Sequence, residues 1–388
     1  MPEINQSDFE KNKAAEEIDA LFFDDDADAD VDLYVVTGAY NQAKNEPLLK
    51  DLYYRNDGKG HFIQDKEALP DLRYCGAKAV VLDMEGDGDL DLFIPSRLIP
   101  GDYPSNPKHA LLMNDGKGYF TNKIEEFAPK LNKSGLITDA KWVDLDGDGK
   151  SELITVGEWM PIQVWQLKNN QLVPGKIIGK KGFWHCLFAF DSNKDGKLDL
   201  IAGNKGLNTQ LKAPVTLLYD DFDANGTKDP LMAYQYGDKL YPMLSRDDVL
   251  SQLPAFKKRF ITYETYAKIT FERLLDNKQT KKAARCDVET LATQLFINEG
   301  KGQFSLGKLP IEAQFSAISA IISGDWKDDG NVDIILAGND SYQRVKFGKI
   351  DANKGQIFLG NGKGGFQYLP QSKSNLNIPG NTRKIHFL

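Results

Sequence analysis

Apolar residues in this chain come in short runs separated by polar turns. Ala79-Val80-Val81-Leu82, Leu92-Phe93-Ile94, Leu111-Leu112-Met113, Leu153-Ile154-Thr155-Val156 and Leu200-Ile201-Ala202 are typical. Runs this short, rich in β-branched residues and bounded by turn formers, predict strands rather than helices. The polar stretches between them repeat. A ten-residue acidic pattern occurs six times, starting at Asp24, Asp83, Asp144, Asp191, Asp221 and Asp325. A second pattern, Asn56-Asp57-Gly58-Lys59-Gly60-His61-Phe62, has close copies at Asn114–Phe120, Asn298–Phe304 and Gly360–Phe366. Asn and Gly tolerate the positive φ of tight hairpins, so this second pattern predicts a turn between two strands. The predicted unit is a four-stranded meander: strand, acidic loop, strand, connection, strand, hairpin, strand.

A repeat that cannot bury its own faces must stack on its neighbours. Radial stacking of four-stranded antiparallel sheets is the β-propeller, and it leaves few exposed edges. The expected fold is therefore all-β, a single propeller over residues 1–388. The interval of 30 residues between the fourth and fifth acidic loops predicts an abbreviated blade, and the interval of 104 before the sixth an insertion. Over 245–286 the strand pattern gives way to helix signals. Ser245 with Asp247 and Asp248 starts one helix, and Thr262 starts a second running through Leu275. Tyr263, Tyr266, Ala267, Thr270, Phe271 and Leu274 form its apolar stripe, expected to pack on the propeller.

The acidic loops place oxygen-bearing side chains at relative positions one, three, five and nine. Hard divalent cations take oxygen ligands, calcium six to eight of them, and alternating Asp residues point inward when a loop curls around an ion. The candidate ligands are Asp24, Asp26, Asp28 and Asp32; Asp83, Glu85, Asp87 and Asp91; Asp144, Asp146, Asp148 and Glu152; Asp191, Asn193, Asp195 and Asp199; Asp221, Asp223, Asn225 and Asp229; and Asp325, Asp329 and Asp333. Ala29 stands where the first loop needs its turn Gly, which predicts an altered geometry. Lys327 occupies position three of the sixth loop, so its ammonium is expected to replace the ion. These sites contain 21 of the 56 acidic residues, and bound Ca2+ would offset much of the formal charge of −8.

That charge argues against a nucleic-acid partner. No run approaches the roughly 18 apolar residues that a membrane-spanning helix needs. Cys75, Cys186 and Cys286 are too few and too scattered for a disulfide framework or a Cys-x-x-Cys metal pair. The five tryptophans are expected in blade cores, with Trp159 in a turn as the exposed exception. Residues 246–285 carry ten basic against five acidic side chains, a solvated face in the first instance.

These features resemble the FG-GAP (VCBS-like) repeats of integrin α-chain propellers, cartilage acidic protein and large bacterial surface proteins. The phrases ALFFDDDADADVDLYVVTG (20–38), LIAGNKGLN (200–208) and LPIEAQFSAI (309–318) carry the likeness. The resemblance implies a seven-bladed ring with several structural Ca2+ ions, in a secreted or cell-surface protein that binds a protein or glycan partner without catalysis. With six loops present, either one blade is incomplete or six blades close through the terminal strands, Arg383–Leu388 starting one of them. The opening stretch MPEINQSDFEKNKAAEEID lacks the apolar segment of a secretory signal, so the chain is expected to belong to a longer extracytoplasmic polypeptide. The alternative is a propeller enzyme acting on polysaccharide as a lyase or hydrolase. Such an enzyme needs carboxylates or Lys, Arg or His groups converging outside the acidic loops, and no local catalytic motif announces them.

Overall fold

The structure, a computed structural model, describes residues 7–341 and 348–386. It is built from antiparallel sheets with few helices, as the apolar pattern predicts. Five sheets follow one another along the chain. The first comprises Glu17–Phe23, Asp32–Thr37, Leu52–Asn56 and Phe62–Gln64. The second comprises Val80–Leu82, Asp91–Ile94, Ala110–Asn114 and Phe120–Asn122. The third has three longer strands, Leu136–Val143, Glu152–Lys168 and Gln171–Phe183. The fourth comprises Cys186–Phe190, Asp199–Gly203, Gln294–Gly300 and Gln303–Leu306. The fifth comprises Ala320–Gly324, Asp333–Ala337, Gln356–Gly360 and Phe366–Leu369.

These five sheets are the blades of a propeller. Residues from the first strand of each, including Asp19, Val80, Ala140, Leu187 and Ile321, line one central channel. Consecutive blades share apolar cores: Val36 and Tyr53 with Leu92 and Phe120, Phe93 and Leu111 with Ile137 and Leu153, Val156 and Ile162 with Leu187 and Phe296, Ile201 and Leu295 with Ile321 and Phe358. Trp184, completely buried, sits between the third and fourth blades.

The blade count is where the expectation needs correcting. Among the described residues five blades surround the channel, not seven or six. The sixth sheet, in the order Lys239–Pro242, Asp229–Tyr236, Val215–Asp220, Ala284–Val288, is spliced into the fourth blade between its second and third strands. The short interval from Asp191 to Asp221 therefore marks an interruption rather than a small blade. The long interval to Asp325 covers the rest of the insert and the two strands that complete the interrupted blade.

The segment 245–286 packs on this inserted sheet, not on the ring. Its helices are short: Arg246–Gln252, Tyr263–Ala267, Phe271–Leu274 and Asn277–Lys282. Ser245 and Asp248 form a capping box, and the Thr262 hydroxyl accepts the Thr265 N–H. The helix expected from Thr262 to Leu275 is two helices, because Thr270 begins a new one in extended geometry. Tyr266, Phe271 and Leu274 meet Leu218, Leu231 and Ala233 of the sheet, whereas Tyr263 is exposed.

The last blade is tied to the first by the chain's final described segment. Asn339 Nδ2 donates to Gly380 O at 2.7 Å and the Ser341 hydroxyl to Asn381 Oδ1 at 2.8 Å. Lys384 Nζ then reaches Asp19 Oδ1 at 2.6 Å and Ala20 O at 2.8 Å on the first blade. Arg383–His386 is not a strand, and Phe387 and Leu388 lie outside the described residues. No described helix is long and apolar enough to cross a membrane.

His109 is fully buried at the second blade, where its Nδ1 accepts the Ser96 N–H at 3.0 Å. Burial pushes its pKa down to about 3. The unfolded chain takes up this proton near pH 6.5, so the neutral ring's contribution is complete above that value and is lost as pH falls toward 3. His109→Asn keeps an acceptor without the titration. Urea unfolding should show that the wild type loses about 2 kcal/mol more than this variant between pH 6.5 and 4.5.

Candidate metal centres

The six acidic loops share one hydrogen-bonding frame. The position-one Asp folds the loop over itself by accepting the N–H of residue six: Ala29 to Asp24, Gly88 to Asp83, Gly149 to Asp144, Gly196 to Asp191, Gly226 to Asp221 and Gly330 to Asp325, all within 2.6–3.2 Å. The carboxylate at position nine turns the other way and is buried. It accepts the N–H of position two, as in Met84 to Asp91, Leu145 to Glu152, Ser192 to Asp199, Phe222 to Asp229 and Trp326 to Asp333. Its second oxygen accepts an N–H from the third strand: Asn56 to Asp32, Asn114 to Asp91, Asn298 to Asp199 and Gly360 to Asp333, at 2.7–2.9 Å. This carboxylate therefore connects loop to sheet, whatever else it binds.

The hairpin asparagines extend the frame between blades. Asn114 Nδ2 donates to Asp25 O in the first blade's loop at 2.7 Å, and Asn298 Nδ2 to Leu145 O in the third blade's loop at 2.7 Å. Each of these hairpins thus closes over its neighbour's acidic loop.

Three loops gather carboxylates. Asp24, Asp26 and Asp28 have ligand atoms within 4.8 Å of one another, as do Asp144, Asp146 and Glu152, and Asp221, Asp223 and Asp229. Asp24 Oδ1 and Asp223 Oδ1 are buried without a hydrogen-bond partner, the condition of an acceptor waiting for a cation. Among the described residues no such group forms from Asp83, Glu85, Asp87 and Asp91, from Asp191, Asp195 and Asp199, or from Asp325, Asp329 and Asp333. In the fourth loop the Lys197 ammonium bonds Asp195 at 2.7 Å, and in the sixth Lys327 bonds Asp329 at 2.9 Å. Asp148 and Asn225 sit in their loops, accepting the N–H groups of Lys150 and Thr227, and Asn193 accepts that of Asp195.

The first loop bends without glycine. Ala27 and Ala29 take φ of 60° and 73°, a left-handed conformation that costs a residue with a Cβ about 1 kcal/mol or more. Its run of consecutive aspartates creates a second cluster, Asp25 with Asp26 and Asp32. Asp25, at position two, is outside the alternating ligand pattern. The Tyr53 hydroxyl bridges Asp25 and Asp32 at 2.6 and 2.8 Å. Burial and the adjoining Asp32 raise Asp25 to about 8, with Tyr53 and Arg55 offsetting part of the rise.

On the opposite face, where second strands lead to third strands, a different set of side chains converges. Arg97 donates through Nε and Nη2 to Glu158 Oε1 at 3.1 and 2.6 Å, and the Tyr103 hydroxyl donates to Glu158 Oε2 at 2.9 Å. Trp159 Nε1 donates to Tyr103 Oη at 2.5 Å. Burial disfavours the Glu158 anion, but Arg97 and Tyr103 outweigh it and hold the carboxyl below its usual range. Trp159, expected at an exposed turn, is only 6% exposed with φ of 62°, and its ring packs edge-on against Phe183. His185 Nε2 is buried without a partner. Burial and the cations Arg97 and Lys205 bring its pKa down to about 4. Lys205 bonds Asp340 at 2.6 Å. These residues come from the second to fifth blades and share no sequence spacing, so no motif could have found them.

An FG-GAP-like repeat is found at residues 144–202, from the third acidic loop to the second strand of the fourth blade. No curated protein matches the chain. Among solved structures, an ancestral GH74 enzyme is similar with a TM-score of 0.26 and 10% identity, over 90% of this chain. The chain spans 42% of that structure's length.

Asn298→Ala removes both amide donations and strands the carbonyls of Leu145 and Leu198. The expected loss is about 3 kcal/mol of unfolding free energy, read as a lower urea midpoint at unchanged slope.

Proposed function

We propose that this chain is a calcium-stabilised, non-catalytic propeller module that binds a protein or glycan partner for a larger extracytoplasmic protein. The observation that carries the calcium assignment is the gathering of three carboxylates within 4.8 Å in the first, third and fifth loops, with orphaned oxygens on Asp24 and Asp223. Like charges that close repel unless protonated or neutralised by a cation. Oxygen-only donors on a flexible loop suit calcium better than magnesium, which demands near-ideal octahedral geometry. Asp24, Asp26 and Asp28, Asp144, Asp146 and Glu152, and Asp221, Asp223 and Asp229 would hold the ions. A bound ion would supply fixed positive charge and lock the turn between the first and second strands. Loops four and six, which already hold a lysine ammonium, are assigned weak binding or none.

A second reading, an enzyme acting on polysaccharide, draws on the constellation of Arg97, Tyr103, Glu158, His185, Lys205 and Asp340. Glu158 is saturated by Arg97 and Tyr103 and kept ionised, which suits an electrostatic or anchoring part better than proton transfer. The binding reading is preferred for that reason. A glycan array and a partner pull-down test it; release of reducing ends or of unsaturated sugars from a bound polysaccharide would overturn it in favour of the enzyme.

Calorimetric melting separates ligand carboxylates from structural ones. Calcium at about 100 times its dissociation constant should stabilise each occupied site by about 2.7 kcal/mol, and excess EDTA should abolish the gain. Asp146→Asn is expected to melt like the wild type in EDTA and to lose part of the calcium response. Asp199→Ala should lower the melting point equally with and without calcium. An identical wild-type melt in calcium and EDTA would remove the calcium assignment.

A further inference from the structure

The central channel holds charge that the protein does not balance. Its walls carry four cations, Lys78, Lys141, Arg383 and Lys384, against two carboxylates, Asp19 and Asp139, in a chain whose formal charge is −8. Two ion pairs use both carboxylates. Lys78 Nζ lies 2.9 Å from Asp139 Oδ1, and Lys384 Nζ 2.6 Å from Asp19 Oδ1. Asp139 is also engaged elsewhere, its oxygens accepting the N–H groups of Ala140 and of Leu187 on the next blade, both at 2.8 Å. Among the described residues, Lys141 and Arg383 have no ion-pair partner. They border a cavity of about 570 Å³ whose other walls are largely aliphatic.

We infer that the channel is a binding site for a small polyvalent anion, of the phosphate or dicarboxylate class, held between Lys141 and Arg383. An unneutralised ammonium in a partly dehydrated channel is costly. Burial lowers the Lys141 pKa, Asp139 only partly restores it, and Lys78 lowers it further, so an incoming anion relieves a real penalty. Apolar walls strengthen the field of the cations that border them, half-buried Lys141 and exposed Arg383. A singly charged ion would leave one cation unmatched. The site also gives the final segment a second role, since Arg383 enters it from the same stretch that ties the last blade to the first.

Isothermal titration of the full chain with inorganic phosphate, and separately with succinate, tests the inference. One saturable equivalent is expected for at least one of them. Lys141→Met should weaken it tenfold or more, Arg383→Met should weaken it as well, and Lys59→Met, on an exposed hairpin, should leave it unchanged. Circular dichroism checks the fold of each variant. If Lys141→Met does not fold, Lys141→Arg, which keeps the charge, must still bind and Arg383→Met must still lose affinity. Absence of saturable binding by both anions, or wild-type affinity in Lys141→Met and Arg383→Met, would overturn the assignment. The propeller's calcium response and partner binding are separate measurements and do not depend on this result.

Discussion

In three of the six acidic loops a buried carboxylate with both oxygens committed to backbone amides organises the loop and the sheet behind it. At Asp91, Asp199 and Asp333 one oxygen fixes the loop and the other fixes the third strand. Ionised acceptors make stronger hydrogen bonds than neutral ones, and burial keeps water from competing. The loop then has a defined curl before any ion arrives. Asn114 and Asn298 repeat the device between blades, so that loop geometry and ring geometry are set by the same few polar groups. Apolar packing between consecutive blades supplies the bulk of the burial, and the polar frame adds direction to it.

The alternation of short apolar runs with acidic and Asn-Gly turns made the sheets, their four-stranded composition and the loop positions readable in sequence. The same pattern misled on number. One acidic loop per blade is what the repeat predicts, yet the loop at Asp221 belongs to a sheet inside the fourth blade. Local periodicity reports how strands meet at a turn, and it cannot report that a strand's next neighbour lies far along the chain. Metal ligands were half legible. Positions one and three are gathered by a local curl in three loops, whereas position nine, which joins them in the third and fifth, also captures a backbone amide. The Lys327 substitution did announce an internal cation, and Lys197 does the same from a position the alternation ignores.

The face opposite the acidic loops was invisible in sequence for a further reason. Arg97, Glu158, His185, Lys205 and Asp340 occur at unrelated points of different blades, some in strands and some in connections, and only closure of the ring brings them together. Trp159 illustrates the cost. Its Gly-Glu-Trp-Met-Pro setting predicts a turn, but the segment lies within the strand Glu152–Lys168, at a register shift where a left-handed tryptophan is buried under Tyr103 and against Phe183.

The splice in the fourth blade has a bearing on how such a chain is assembled. Ala202 and Gln294 are register partners in adjacent strands, so the two ends of the inserted sheet leave and return about 5 Å apart. To the blade, everything between them is one elaborated turn. The cost of closing a loop rises only logarithmically with its length, so the ring loses little stability by carrying so large a passenger. It does lose speed and autonomy: the fourth blade stays two-stranded during synthesis until the whole passenger has emerged. Modules joined in this way can be exchanged or lost as units, which makes the splice the natural seam along which the ring could acquire a changeable surface.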